Sequence, residues 1–319
     1  MKRMHILIRL SLFFFFLIVL GISSSAQEHD TYQLKAVNDE VHDAILQFYQ
    51  YDKTIPLDLR TVDSIENESY IRGKFVFSGI NNSQVVGYLA IPKQGQPPYP
   101  CVLQMHGMTV SKNDFWVEEY HHGELVTEGL LSAGYAVLAL DMPYHGDRLY
   151  ENNFESTLIT LFRKGYGFRI RDMVVQSTIE YRRAIDYLST LPDIDINRIG
   201  AIGYSLGSVV TFNLAGVDDR IKTIIVCSTV AINPRTWVDL PEKYLSGIAT
   251  QAFIPYIYDK PILILAAKND SNICTVQEAE QLYNLINGES KKLIFYDSGH
   301  KLPPEHAPEA TNWFKNNLK

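Results

Sequence analysis

Two rhythms alternate along this chain. Short runs at 101–105, 136–140, 199–203, 221–227, 262–267 and 293–296 are apolar almost throughout, the pattern of strands buried on both faces. Longer segments between them repeat with a helical period. Val174, Tyr181, Ile185 and Leu188 share one face, and so do Ala310, Trp313 and Phe314. Thr275 with Glu278 three residues on is a capping-box pattern and predicts a helix start there. Ahead of all these, β-rich runs at 74–77 and 85–91 flank Gly79-Ile80-Asn81-Asn82, a hairpin signal. A hairpin followed by strand–helix alternation predicts an α/β domain: a mostly parallel sheet of eight strands, helices on both faces, antiparallel strands at its start. Such sheets take ligands beyond the carboxyl ends of their strands.

The N-terminus follows a different pattern. Lys2, Arg3 and Arg9 precede an apolar run over 10–20 broken only by Ser11, and Ser23-Ser24-Ser25-Ala26 then supplies small residues before Gln27. This is the layout of a secretory signal peptide over 1–26. The run is short for a membrane span, which needs ~20 apolar residues. The expectation is an exported protein, periplasmic or secreted, with no stable membrane insertion after cleavage. Residues 27–71, with one helix at 41–49, read as an extension packed on the core. Residues 72–319 read as the main domain.

Composition narrows the function. The chain has 319 residues, 46% hydrophobic and 20% charged, with a formal net charge of −7 spread without long runs. A basic nucleic-acid face is not expected. Cys101, Cys227 and Cys274 are odd in number, so at least one thiol is unpaired within the chain, and their spacing fits no zinc pattern.

The candidate chemistry lies just after the predicted strands. Gly203-Tyr204-Ser205-Leu206-Gly207 follows the strand at 199–203 and precedes an apolar helical run. Strand, sharp turn and helix are the context that a G-x-S-x-G nucleophile needs. A serine hydroxyl is a weak nucleophile and requires a base. His300, in Asp297-Ser298-Gly299-His300 after the last strand, is placed to serve. The base needs a carboxylate to fix its tautomer. Asp270, after the strand at 262–267, is preferred. Asp297 is the competitor, better suited to capping its own turn. Oxyanion donors are expected from the backbone N–H of Leu206 and that of Met108, in the loop His106-Gly107-Met108. His106 reads as a buttress of that loop, His121 and His122 as a solvated helix start, and His306 as part of the last helix.

With these segments go Asp141-Met142-Pro143-Tyr144-His145-Gly146 and Asp195-Ile196-Asn197-Arg198-Ile199-Gly200. As a set they resemble the α/β-hydrolase superfamily, and within it the dienelactone-hydrolase-like and acetyl-xylan-esterase-like members. Tyr51-Asp52 with Pro56-Leu57 resembles the entry segment of such esterases. Dienelactone hydrolases proper use a cysteine where this chain has Ser205, which turns the expectation toward simple ester hydrolysis. The resemblance implies the order Ser205, Asp270, His300 for the catalytic residues.

The expected function is therefore that of an exported serine esterase. It would cleave a small-molecule carboxylic ester, of short acyl chain, through an acyl-enzyme, with no cofactor or metal. The rivals are a peptidase of the prolyl-oligopeptidase type, disfavoured because the length leaves no room for a propeller, and a non-catalytic binding protein on the same scaffold. Segments 148–171 and 232–258 are aromatic-rich and read either as lid insertions or as core.

Overall fold

The structure is a computed structural model that describes residues 33–117, 120–157, 167–232, 245–271 and 273–319. The predicted signal peptide lies outside the described residues. So do 158–166 and 233–244 of the two aromatic-rich segments, including Phe162, Tyr166, Trp237 and Tyr244.

A nine-stranded sheet runs through the molecule in the order β1-β2-β3-β5-β4-β6-β7-β8-β9. Its centre is parallel: β4 (Tyr99–Met105), β5 (Ala136–Leu140), β6 (Ile194–Tyr204), β7 (Ile221–Cys227), β8 (Ile262–Ala267) and β9 (Lys291–Tyr296). β4, β5 and β8 are buried at every position, because helices cover both faces and each side chain meets apolar neighbours. β2 (Tyr70–Ser78) and β3 (Gln84–Pro92) form the predicted hairpin. Asn81 and Asn82 take φ values of 55° and 57° at its tip, a region asparagine tolerates.

The sheet has one strand more than expected. β1 (Arg60–Glu66) pairs antiparallel with β2, inside the segment read as an extension. All seven of its residues are exposed. It is held by backbone pairing rather than by burial of one face, so it leaves no apolar alternation to find.

The remaining N-terminal residues lie against the helices. α1 (Asp39–Leu46) is capped by Asn38, whose Oδ1 accepts from the Val41 N–H at 2.9 Å. His42 and Ile45 face the core; Ile45 clusters with Phe253, and the His42 ring stacks on Tyr256. Arg183, on the long helix that precedes β6 (α3, Gly167–Leu188), donates to the carbonyls of Ile55, Pro56 and Ser78. Two further helices, α2 (Gly123–Ser132) and α4 (Leu206–Val217), follow β4 and β6. α5 (Val276–Leu285) begins with the capping box of Thr275 and Glu278, and α6 (His306–Asn317) closes the chain.

One buried ion pair ties the loop after β5 to α3. Arg148 and Glu180 are 0% and 1% exposed and 2.6 Å apart. Arg148 also donates to the Asp141 carbonyl at 3.0 Å, and Glu180 accepts from Ser83 of the hairpin at 2.8 Å. Removing one partner of such a pair leaves an uncompensated charge in the interior. Glu180→Ala is expected to lower unfolding stability by about 3–5 kcal/mol. Urea denaturation of the variant measures this, and a loss below about 1 kcal/mol would show that the pair is dispensable.

Candidate active site

The centre of the site is a tight turn between β6 and α4. Ser205 sits there at φ 52°, ψ −118°, outside the regions that L-residues favour. The turn is possible because its flanks are glycine. A Cβ on Gly203 would lie 2.2 Å from the Gly207 carbonyl oxygen, and a Cβ on Gly207 would lie 2.2 Å from that of Met105. Helix start and sheet therefore approach backbone to backbone. The Ser205 N–H donates to Cys227 O on β7 at 2.9 Å, and Ser208 Oγ donates to the Ser205 carbonyl at 2.6 Å. The hydroxyl is thus presented at the carboxyl end of the sheet and at the positive end of α4.

His300 reaches this hydroxyl from the loop after β9, with Nε2 2.9 Å from Ser205 Oγ. Its Nδ1 lies 2.6 Å from Asp270 Oδ2. The arrangement fits one tautomer: Nδ1–H donates to the carboxylate, and Nε2 accepts from the serine hydroxyl. Asp270 is 5% exposed, and its Oδ1 accepts from the Ile273 N–H at 3.2 Å. Ser228, at the end of β7, donates its hydroxyl to the His300 carbonyl at 2.6 Å. Asp297 does something else: its Oδ1 accepts from Asn269 Nδ2 at 3.0 Å, bridging the two loops at the surface. The structure thus brings together Ser205, His300 and Asp270 and sets Asp297 aside.

Leu206 opens α4 directly after Ser205, and Met108 lies in the loop that leaves β4. β4 runs beside the turn, with Met105 in register with Gly203. Two buried histidines hold the Met108 loop. His106 Nδ1 donates to Gly107 O at 2.7 Å, and its Nε2 accepts from the Met142 N–H at 3.0 Å. His145 has one ring nitrogen beside Met108 O and the other 2.9 Å from Pro143 O, and its single N–H donates to one of these two carbonyls. Burial lowers the pKa of both imidazoles. His106 is the buttress the sequence suggested. The part played by His145 was missed; its signals were its place after the β5 strand and within the segment Asp141 to Gly146. Ser228, at φ 44° after β7, was missed as well.

His121 corrects an expectation. It is not solvated but 3% exposed. The Asp114 carboxylate accepts from the N–H groups of Tyr120 (2.8 Å) and His121 (3.3 Å) and turns the segment inward. His306, on α6 as expected, accepts from Tyr204 OH at 3.0 Å beneath the turn. All three cysteines are buried free thiols, with pKa values raised by desolvation. Among the described residues no group of three or more His, Cys, Asp or Glu side chains is gathered as a metal site.

The profile of the acetyl xylan esterase (AXE1) family matches residues 37–233. The chain belongs to that family. The match holds the Ser205 turn and ends before Asp270 and His300, so those two rest on the geometry above. A curated relative, the putative hydrolase YtaP of Bacillus subtilis (strain 168), is 28% identical over 183 residues, covering 55% of this chain and 58% of YtaP. The chain thus spans little more than half the length of that relative. Acetyl xylan esterase 1 from Thermoanaerobacterium sp. JW/SL YS485 superposes with a TM-score of 0.67 at 14% identity, over 89% of this chain and 95% of that one. The acetyl xylan esterase of Paenibacillus sp. R4 gives 0.65 at 19%, over 90% and 97%. The fold of this family member is the α/β-hydrolase fold.

Proposed function

We propose that this protein is an exported serine esterase that hydrolyses short-chain carboxylic esters through an acyl-enzyme. The observation that carries the reading is the continuous relay from Ser205 Oγ through His300 to Asp270, at 2.9 and 2.6 Å.

The chemistry follows from that relay. His300 Nε2 takes the hydroxyl proton as Ser205 Oγ bonds to the ester carbonyl carbon. The carbonyl oxygen becomes an oxyanion, met by the N–H groups of Leu206 and Met108. Asp270 stabilises the imidazolium that forms. His300 then gives the proton to the alcohol oxygen as the ester bond breaks, leaving the acyl group on Ser205. A water attacks the acyl carbon, His300 takes its proton, and the acid leaves as the proton returns to Ser205. The family supports an ester as substrate, and a filled relay favours catalysis over passive binding on a hydrolase scaffold. Export rests on the charged start, the apolar run and the small residues before Gln27. The short acyl preference rests on the sequence of segment 232–258, where the spacing of Pro234, Pro241, Gly247 and Pro255 is not that of one long amphipathic helix.

Three outcomes test the reading. A fluorophosphonate probe should label the wild-type protein and not Ser205→Ala; undiminished labelling of the variant would remove the nucleophile assignment. Asp270→Asn should fold normally and lower kcat by on the order of 10⁴, whereas Asp297→Asn should stay near wild type. The reverse ranking in steady-state kinetics would overturn the choice of acid. Across a series of nitrophenyl esters, kcat/KM should peak at acetyl or butyryl, and a maximum at eight carbons or more would point to a lipase instead.

A further inference from the structure

A buried ammonium stands at the end of the oxyanion loop, and the relay makes no use of it. Lys112 is 1% exposed, with its Nζ 2.6 Å from Asp141 Oδ2 and 2.7 Å from Asp147 Oδ2. Its backbone N–H donates to the other oxygen of Asp141, Oδ1, at 3.0 Å. Asp141 is fully buried and also accepts from the Asp147 N–H at 2.9 Å. The Tyr88 ring lies 4.8 Å from the ammonium, and Lys74 reaches Asp147 from β2 at 2.8 Å. Burial opposes the charge on Lys112, but the two carboxylates outweigh it and raise its pKa.

The place of this ion pair says more than its strength. Desolvation offsets most of the attraction between buried charges, so such a pair is weak evidence for stability. What it does supply is a fixed position. Residues 106–112 carry the chain away from the end of β4. The near end is held where the Met142 N–H donates to the His106 ring. The far end is held where Lys112 meets Asp141 with both backbone and side chain. Asp141 and Met142 directly follow β5, which pairs in parallel with β4. Met108 lies between the two anchors, its carbonyl against the His145 ring. A short segment pinned at both ends passes a shift of either anchor on to its middle.

We propose that Lys112 is a positioning residue for the oxyanion loop: its bonds to Asp141 set where the Met108 N–H meets the carbonyl oxygen of the ester. The inference rests on Ser205 as nucleophile and on Met108 as oxyanion donor. Lys112 acts through the loop and not on the substrate. Its effect is felt as negative charge develops on the carbonyl oxygen, so its loss lowers kcat and leaves KM near wild type.

The test compares Lys112→Met with Lys74→Met, which removes a charge from the same cluster without touching the loop. With nitrophenyl acetate, kcat should fall about 10²-fold in Lys112→Met, the cost of a misplaced group at the reacting centre, while Lys74→Met stays near wild type. A trifluoromethyl ketone gives a second readout. Ser205 Oγ bonds to its carbonyl carbon, the hydroxyl proton passes to His300, and the ketone oxygen becomes the oxyanion. Its inhibition constant should rise in Lys112→Met by the factor by which kcat falls. A fall in kcat below threefold in folded Lys112→Met, an equal fall in Lys74→Met, or an unchanged inhibition constant overturns the proposal. Should Lys112→Met not fold, Asp141→Asn, which keeps the shape of the side chain and turns one acceptor into a donor, is read by the same measures. Failure of the esterase reading itself looks different: wild-type protein would neither hydrolyse the ester nor be inhibited by the ketone.

Discussion

The backbone of one residue organises this site. Ser205 is held at φ 52°, ψ −118°, a conformation that costs on the order of 1–3 kcal/mol and persists only where its surroundings over-determine it. They do so here from three sides. Gly203 and Gly207 allow α4 to start directly against β4 and β6, β7 receives the Ser205 N–H, and Ser208 fixes the carbonyl. Relaxing the turn would rotate the hydroxyl away from His300 and detach the helix start from the strand. The nucleophile's exposure to its base and the contact between helix and sheet are thus a single constraint, which explains why the glycines bracket the serine at this spacing.

Around that turn, burial assigns the histidines different work. His106, His145 and His306 each lie against backbone or phenol partners in apolar surroundings that disfavour the charged form, and all three have pKa values lowered by burial. An imidazole that resists protonation is a fixed strut. His106 and His145 link the loop after β4 to the loop after β5, and Arg148 links the latter to Glu180 on α3. The oxyanion loop is in this way referred back to the core. His300 differs in both respects that matter for a base: its side chain is 19% exposed, and a buried carboxylate faces its Nδ1. The imidazolium that proton transfer creates there has its counter-charge already in place, 2.6 Å from Nδ1.

Much of this was legible in the sequence because it is written in local pattern. Runs of β-branched residues mark β6, β7 and β8 by their burial on both faces, and the glycine spacing around Ser205 marks the turn. What was not legible is set by partners distant along the chain. β1 has no buried face and exists through its pairing with β2, so periodicity passes over it. His121 and His122 sit in a polar stretch that reads as solvated. The inward turn of His121 depends on Asp114 capping two N–H groups and on Gly107 leaving room for the ring. His145 looks like any loop histidine until the carbonyl of Met108 is found beside it.

The choice between the two candidate carboxylates shows how sheet pairing decides a question that proximity along the chain misjudges. Asp297 is three residues from His300, yet a carboxylate on the same short turn is carried by a backbone that must bend between the two. Asp270 is thirty residues away but on the neighbouring strand. β8 and β9 pair in parallel from Ile262 with Lys291 to Ala267 with Tyr296. The pairing continues past the strand ends, where the Lys268 N–H donates to Tyr296 O and the Asn269 N–H to Ser298 O. The two loops therefore leave the sheet side by side, and Asp270 and His300 emerge from the same edge facing each other. Asp297, bonded to the Asn269 side chain, holds these loops in step from outside. Its position in the turn serves the alignment of the base, while the carboxylate that meets the ring comes from the adjacent strand.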